Sequence, residues 1–389
     1  MSYEINPNIL QDNFNFTRET SETICAPLEI EDYIPQPMEN VSPPKWHLAH
    51  SSWFFEQFIL VKYYENYPLF HTDFAFLFNS YYNHMGDRTN RADRGFMTRP
   101  TVAKVYEYRA HINKHINKLI ESNPSQEILK LIEVGVHHEQ QHQELLIYDI
   151  KYILGMQPTF PVYGNKYLIP ENNNTEKFIK TEKGIYTIGA DGSRFSYDNE
   201  QPQHQVYLEE FEISNKLVTQ GDYLEFMNAG GYENFDLWHA EAWDFINTNN
   251  IKAPLYWHKQ DKTWKQYTLN GLQPVKPNLP VHHLSFYEAF AYAEWKKMRL
   301  PTEFEWEVAS KHFDWGTLWE WTQSAYLPYP RFTKAKGALG EYNGKFMLNQ
   351  NVLKGSSVAT TKGHKRNTYR NFFHASSRWI YSGLRLVKN

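Results

Sequence analysis

Two histidines one helical turn apart are the residues of this sequence best suited to chemistry. His138 and His142 lie in a dense His, Glu and Gln stretch, within the run 128–154 whose aliphatic residues recur at helical spacing. On a helix their imidazoles stand on one face and can bind the same ion. Gln141 lies close to that face, whereas Glu144 points elsewhere and is expected to support a ligand rather than act as one.

A second pair, His111 and His115, has the same spacing and serves as an internal control. Its predicted helix, 102–121, carries many Lys, Glu and Asn residues and resembles a solvated amphipathic helix. Spacing alone therefore does not predict a metal site. The pair at His138 and His142 is favoured by its setting, but two ligands do not complete a site.

A third ligand has to come from another helix of the same bundle. His47 and His50 are the candidates, three residues apart on a helix opened by two prolines. Trp53 and Phe54 follow His50 at helical spacing and predict an inward face for it, while capping or surface roles suit His47 equally well. Three neutral imidazoles suit Zn(II) or Fe(II), and the spacing does not choose between them.

Composition limits the class of protein. The chain has 389 residues, which predicts two domains, and 16% aromatic residues, which predicts a large core or an aromatic-lined pocket. A net charge of −4 makes nucleic acid an unexpected partner. No apolar run is long enough for a membrane span and the first residues show no secretion-signal pattern, so no membrane is expected. The single cysteine, Cys25, excludes internal disulfides and predicts a cytoplasmic protein.

The patterning predicts two domains of different class. Residues 1–160 read as a helix bundle with an irregular connection at 65–100, residues 161–177 as a linker, and residues 178–389 as an α+β domain of low regular content. Helices are predicted at about 8–25, 46–58, 101–121, 125–154, 219–229 and 285–297.

Several motifs follow one another in a specific order along the chain. The first are Trp-His-Leu-Ala-His at 46–50 and the group of His138, His142 and Glu144. Further motifs lie in the second half at 198–204, 218–223, 299–307, 319–322, 340–346, 369–373 and 382–385. Each fragment is modest, but together and in this order they resemble one enzyme family, the ergothioneine-biosynthesis sulfoxide synthases (hercynine oxygenases).

The resemblance implies a fold and a reaction. Family members join a DinB-like four-helix bundle to a formylglycine-generating-enzyme-like, C-type-lectin-related domain. They depend on Fe(2+) and O2, and they couple the sulfur of a thiol to C2 of the imidazole of hercynine, giving a sulfoxide. By resemblance, His50, His138 and His142 are the iron ligands.

The resemblance also implies residues for hercynine. Gln141 matches a position whose amide contacts the substrate imidazole, although bonding to a neighbouring helix is the alternative. Asn371 and Phe372 match an Asn-Trp pair around the amino-acid end of the substrate, where an aromatic face holds trimethylammonium. Phe in place of Trp weakens that attraction, and core packing is an equally good interpretation of Phe372.

On the thiol side the sequence departs from members that use γ-glutamylcysteine. Those members carry an Asp and an Arg at the positions of Phe373 and Ser377, so a smaller thiol, free cysteine, is favoured. Its carboxylate needs a cation from the connection. Arg91 best resembles the position in cysteine-using members and Arg94 follows, although surface or interdomain ion pairs are the alternative for each.

The same connection contains Tyr81 and Tyr82, which resemble a tyrosine pair of cysteine-using members. A phenol near the metal donates a proton and directs the reaction towards C–S bond formation rather than thiol dioxygenation. The sequence does not separate the two tyrosines.

Several alternatives stay open. The donor could be γ-glutamylcysteine or a selenosugar, or the chain could be a zinc-dependent DinB-type thiol transferase. A non-enzymatic interpretation treats the second domain as a lectin-like module. The expected partners are hercynine, cysteine and O2, in a monomer or weak homo-oligomer.

Overall fold

A computed structural model describes residues 3–172, 174–334, 339–340 and 342–389. Asn173 of the predicted linker and Glu341 of the motif at 340–346 lie outside these ranges. The chain divides into two compact units, Ser2–Gly164 and Asn165–Asn389. The first is helical and the second contains the sheets, which confirms the α+β class.

The helices of the first unit match the predicted ones closely. They are α1 (Pro7–Cys25), α2 (Pro44–Phe55), α3 (Val61–Tyr63), α4 (Phe74–Leu77), α5 (Val102–Glu121) and α6 (Gln126–Gly155). The four long helices α1, α2, α5 and α6 pack against one another as a bundle. Helix α2 ends earlier than predicted because the chain continues from it as a π turn, Glu56–Leu60.

Local sequence signals set where these helices begin. Asn6 accepts hydrogen bonds from the backbone N–H groups of Asn8 and Ile9, and Thr101 accepts one from Lys104. Proline occupies the first turn of α1 and of α2, where its missing N–H costs nothing.

Helix α5 is amphipathic, as predicted, but it is less solvated than expected. His115 is buried and its ring packs against Tyr64 and Tyr67. Arg109 is buried as well, on the face that also buries Val105 and Tyr108.

A glycine brings α2 and α6 unusually close. A Cβ atom added at Gly135 would lie 2.4 Å from Cε1 of Phe55, well inside van der Waals contact. Only glycine therefore permits this crossing. Helix α2 carries His50 and α6 carries His138 and His142, so the close approach brings the predicted ligands together.

The second unit contains short strands and helices connected by long loops. The strands are β1 (Phe178–Thr181), β2 (Gly184–Ile188), β3 (His204–Leu208), β4 (Phe211–Ser214), β5 (Trp257–Gln260), β6 (Thr263–Thr268), β7 (Gly271–Pro274), β8 (Met298–Arg299), β9 (Trp319–Ala325), β10 (Asn351–Lys354), β11 (Asn371–Phe373), β12 (Ser382–Gly383) and β13 (Val387–Lys388). The helices are α7 (Gln220–Asn228), α8 (Ala240–Thr248), α9 (Phe286–Trp295) and α10 (Glu303–Ala309), of which α8 and α10 were not predicted.

The sheets of this unit are small and mostly antiparallel. Their strand orders are β1-β4-β13-β8, β11-β10-β9-β12, β2-β3 and β5-β6-β7. The only parallel pair among the named strands of the described chain joins β12 to β9. A core of Leu208, Phe211, Ile213, Ala309 and Val387 lies beside the first sheet.

Buried ion pairs stabilise the loops between these elements. Arg385 makes two hydrogen bonds to Glu320, and Trp306 donates its indole N–H to the same carboxylate. Arg370 pairs in the same way with Glu303. Within the part of the chain that the structure describes, no helix combines the length and apolar character needed to cross a membrane.

Candidate metal centre

Three histidines from two helices converge inside the first unit. His50 comes from α2, and His138 and His142 come from α6. The potential ligand atoms of the three rings all lie within 4.8 Å of one another, and the ring centroids are 4.6–5.0 Å apart. Among the described residues this is the only group of three or more His, Cys, Asp or Glu side chains with such geometry.

Aromatic packing holds the imidazole of His50. Trp46 lies one turn before it and Trp53 one turn after it, and both indoles stack nearly parallel to its ring, at 4.5 and 5.4 Å between centroids. On the other helix, His138 stacks on Phe54 at 4.4 Å. Rings packed on both sides keep their orientation, as a preorganised ligand requires.

Burial keeps these imidazoles neutral. Desolvation lowers the pKa of His50, His138 and His142 well below the usual value, and the neighbouring histidines lower it further. A neutral imidazole has a lone pair to give to a metal, whereas an imidazolium has none. The site is therefore poised to bind a cation.

Hydrogen bonding fixes which nitrogen of His50 faces the site. Nδ1 of His50 lies 2.7 Å from the carbonyl oxygen of Phe78, which only accepts, so Nδ1 carries the proton. Nε2 is buried and has no hydrogen-bond partner among the described residues. A buried nitrogen with a free lone pair, facing two further neutral imidazoles, fits a metal ion.

His47 is buried beside the cluster, which excludes the surface role left open for it. Its Nδ1 lies 2.9 Å from Nδ1 of His142, and its Nε2 lies 2.8 Å from Oδ2 of Asp149. The same carboxylate oxygen accepts the backbone N–H of Ser42. His47 therefore contacts a ligand and is not part of the ligand group.

The neighbouring acid Glu144 is also buried, and it accepts the hydroxyl proton of Tyr148. This contact lies within α6 and is consistent with a supporting rather than a ligating role.

The two predicted arginines occupy different environments. Arg91 is exposed and donates to the backbone carbonyls of Glu39 and Asn40. Arg94 is buried, stacks over Trp46 with its guanidinium carbon 3.4 Å from the ring centroid, and donates only to the hydroxyls of Ser42 and Ser80.

The charge of Arg94 is not neutralised within hydrogen-bonding distance. Its Nε has no hydrogen-bond partner among the described residues. Burial, followed by repulsion from Arg91, lowers the pKa of Arg94 well below the usual range, and attraction by the Asp149 carboxylate opposes this; arginine stays protonated in proteins. A buried guanidinium whose hydrogen bonds go to hydroxyls rather than to a carboxylate is a place where an anion is stabilised.

The predicted tyrosines lie on the other side of His50. Tyr82 is buried and stacks on Trp53 at 5.6 Å, and its hydroxyl lies 3.4 Å from that of Tyr81. Phe78, whose carbonyl binds His50, ends the short helix just before this pair. The rings of Trp46, His50 and Trp53 form one stack. The irregular connection supplies Tyr82, which packs on Trp53, and Arg94, which packs on Trp46.

The residues predicted for hercynine belong to both units. Gln141 is half-buried on α6 between the two ligands of that helix. In the second unit Asn371 and Phe372 lie on β11, and Asn371 accepts the backbone N–H of Phe372. The ring of Phe372 stacks on Tyr326 at 4.0 Å, so Phe372 has a packing role within its own unit.

Sequence reasoning missed Ser42 and Asp149. A signal for Asp149 exists, since it follows His142 by seven residues and therefore lies on the same face of α6, two turns further along. Ser42 carries no such signal, because it contacts Asp149 only through the chain path before α2.

Comparisons with known proteins find a domain family and several relatives of this chain. Residues 166–317 match the family described as the sulfatase-modifying factor enzyme 1-like domain. The chain is 27% identical over 306 residues to the hercynine oxygenase of Mycolicibacterium smegmatis, covering 65% of this chain and 70% of that protein. It is 26% identical over 304 residues to the hercynine oxygenase of Mycobacterium tuberculosis, with the same coverage of 65% and 70%.

A third relative is similar over a shorter stretch of the chain. The formylglycine-generating enzyme of Thermomonospora curvata is 31% identical over 149 residues, which is 33% of this chain and 48% of that enzyme. The similarity to the hercynine oxygenases covers more of the chain than the similarity to this enzyme does. The modifying-factor domain at 166–317 is one part of the chain. The chain is therefore similar to the hercynine oxygenases over 65% of its length, and its residues 166–317 match the sulfatase-modifying-factor domain.

Proposed function

We propose that this protein is an Fe(II)- and O2-dependent sulfoxide synthase of ergothioneine biosynthesis that joins the thiol of cysteine to C2 of the hercynine imidazole. The reaction removes the thiol hydrogen and the C2 hydrogen, consumes O2, leaves one oxygen on sulfur and releases the other in water. The observation that carries this proposal is the convergence of His50, His138 and His142 in a chain similar to hercynine oxygenases.

The donor set supports a metal that also binds substrates. Three neutral imidazoles hold a divalent ion and leave other coordination positions open, and iron bound there would supply the reduction of O2. The helical fold around it is proposed to be DinB-like, because the ligands come from two helices of a four-helix bundle.

Arg94 is the proposed contact for the cysteine carboxylate. It replaces Arg91 as the first choice because Arg91 is exposed and already bonded to backbone carbonyls. Arg94 is buried without a carboxylate partner, and its stack on Trp46, which in turn stacks on His50, puts it next to the metal ligands. An anion there would gain a charge-assisted, desolvated pair.

Tyr82 and Tyr81 are the proposed proton donors. Tyr82 stacks on Trp53 beside His50, and the two hydroxyls are close enough for a proton to pass between them. A phenol delivering a proton as O2 is reduced favours sulfoxide formation over oxidation of the thiol alone. Replacement of Tyr82 and Tyr81 by Phe, singly and together, tests this through the ratio of hercynine sulfoxide to cysteine sulfinate.

Gln141, Asn371 and Phe372 are proposed to bind hercynine, and each is tested by its own substitution to Ala. The expected effect is a higher KM for hercynine at unchanged metal content. Formylglycine generation is not proposed, because its cysteine pair is missing from a chain whose single Cys25 is buried.

A single experiment tests the reaction as a whole. Protein loaded anaerobically with Fe(II) is given hercynine with either cysteine or γ-glutamylcysteine, then O2, and the products are identified by mass spectrometry. The expected product is the cysteine adduct of hercynine as its sulfoxide. The proposal fails if neither thiol yields an adduct.

The other outcomes separate the alternatives. An adduct with γ-glutamylcysteine alone would overturn the choice of donor, and an adduct with a selenosugar alone would do the same. O2 uptake without hercynine, giving only cysteine sulfinate, would make the protein a thiol dioxygenase. Thiol transfer that persists without O2 in the zinc-loaded protein would make it a DinB-type transferase.

A further inference from the structure

We propose that His47 and Asp149 are positioning residues that fix the tautomer and orientation of His142, so that this ligand presents Nε2 to the metal. The inference rests on the proposed metal centre and goes beyond it. It concerns two residues that are not in the ligand group and that contact it from one side.

The carboxylate of Asp149 anchors this network. Oδ2 of Asp149 accepts the backbone N–H of Ser42 at 2.8 Å, which fixes the carboxylate in place. The same oxygen lies 2.8 Å from Nε2 of His47. Since the Asp149 carboxylate only accepts, the proton between them belongs to Nε2 of His47.

The position of that proton determines the next contact. In the tautomer of His47 that carries its proton on Nε2, Nδ1 has a lone pair, and Nδ1 lies 2.9 Å from Nδ1 of His142. In this arrangement Nδ1 of His142 carries the proton and donates it to His47. The remaining nitrogen of His142, Nε2, then keeps the lone pair that a metal needs.

The opposite arrangement would disable the ligand. If His47 donated from Nδ1, then Nδ1 of His142 would accept and its Nε2 would hold the proton. In many metal sites a carboxylate accepts a hydrogen bond from the ligating histidine and so prevents this arrangement. Here His47 lies between the carboxylate of Asp149 and the proposed ligand His142. All three side chains are largely buried, so water does not offer competing hydrogen bonds.

The network also reaches the proposed thiol subsite. Ser42, whose N–H anchors Asp149, accepts a hydrogen bond from Arg94 through its hydroxyl at 2.9 Å. Asp149 and Ser42 thus connect the support of His142 to the residue proposed to bind the cysteine carboxylate.

The test measures metal binding rather than turnover. Apo protein is titrated with Zn2+ and Co2+ for the wild type, His47→Leu and Asp149→Asn, with His115→Leu as the control. His115 is a buried histidine with one backbone hydrogen bond in a helical pair of the same spacing, away from the ligand group. We expect His47→Leu to weaken metal binding 10- to 100-fold, which is the usual range when a ligand loses its hydrogen-bond partner. Asp149→Asn should weaken metal binding less. The control should bind metal as the wild type does.

A spectroscopic readout separates positioning from general destabilisation. In zinc-loaded protein labelled with 15N-histidine, His142 should bind zinc through Nε2 and show a slowly exchanging proton on Nδ1. That proton should exchange faster in Asp149→Asn and in any folded His47→Leu protein. A wild-type His142 that binds zinc through Nδ1 would overturn the proposal.

The possible failures are distinguishable. Wild-type protein that binds no divalent ion would refute the metal centre and the proposed function with it. Wild-type protein that binds zinc, together with folded variants whose affinities lie within twofold of it, would refute only the role of His47 and Asp149. If His47→Leu does not fold, Asp149→Asn decides by the same two measurements.

Discussion

At the scale of single residues, the candidate site is an assembly of groups whose burial sets their chemistry. The same desolvation that makes His50 a neutral donor makes Arg94 a cation in need of a counter-anion. The difference lies in what each group lacks. Among the described residues, Nε2 of His50 has no hydrogen-bond partner, and Arg94 is hydrogen-bonded to hydroxyls rather than to a carboxylate.

Replacing Arg94 by Met should raise the KM for cysteine at least 10-fold, equivalent to about 1.4 kcal/mol, because the carboxylate loses its buried cation. Metal affinity should stay near that of the wild type. Arg91→Met serves as the matched control, since Arg91 is exposed and bonded to backbone carbonyls. Steady-state kinetics at saturating hercynine provide the measurement. A KM effect confined to Arg91→Met would reverse the assignment.

Cys25 should behave as a core residue rather than as a nucleophile. Burial raises the pKa of its thiol to about 12, so at pH 8 only about one thiol in ten thousand is ionised, and the group is also shielded from reagents. Native protein should therefore react with a disulfide reagent only as it unfolds, and the rate should rise when urea is added. Rapid stoichiometric labelling of native protein at pH 8 would contradict the burial of Cys25.

At the scale of elements, the site depends on how closely α2 and α6 approach. Gly135 in α6 has no side chain, and the ring of Phe55 in α2 occupies the space that a Cβ atom would take. Phe55 follows His50 by five residues, and Gly135 precedes His138 by three. The Phe55–Gly135 contact is therefore about one helical turn from the histidines, and a displacement of the helices at this contact would also displace the histidines.

Gly135→Ala should destabilise the protein although alanine is the better helix former. Overpacking costs about 1–3 kcal/mol, and the gain in helix propensity of about 1 kcal/mol offsets only part of it. Zinc affinity should fall together with the thermal midpoint. Lys114→Ala, at an exposed position in α5, should leave both within error of the wild type. An alanine variant as stable as the wild type would show that Phe55 moves aside freely.

At the scale of the whole molecule, metal binding and buried ion pairs are two separate contributions to stability. The unit Ser2–Gly164 contains the histidine cluster, so a metal bound there would add to its stability by mass action. Both units contain buried ion pairs, such as Arg18 with Glu139 in the first and Arg385 with Glu320 in the second.

Hydrogen exchange followed by mass spectrometry should resolve these two contributions. Zinc should increase protection in α2 and α6. Arg385→Met should decrease protection in β4 and β9, because it leaves Glu320 buried without its cation, at a cost of about 3–5 kcal/mol. Lys388→Met is the control, since Lys388 pairs with Glu212 at the surface and should contribute under about 1 kcal/mol. Loss of protection in α2 or α6 on Arg385→Met would contradict this division.

The sequence alone was sufficient for the long helices and for proposing His138 and His142 as metal ligands. Helical periodicity is a local property, so α1, α5 and α6 were predicted within about two residues, and the spacing of His138 and His142 follows from the same geometry. The choice of His50 over His47 came from the resemblance together with the inward face marked by Trp53. The short helices α8 and α10 were missed because a few turns between loops carry little periodic signal.

Only the tertiary structure decided which residues support those ligands. His47 and Asp149 are separated by 102 positions, and no local pattern predicts that they share a proton. The same holds for the arginines. Arg91 and Arg94 are equivalent as cations in the sequence, and burial against Trp46 distinguishes them. The faces of a helix depend on residues one turn apart, so the sequence alone determined them. Burial and long-range hydrogen bonds depend on how distant segments pack, so only the tertiary structure decided them.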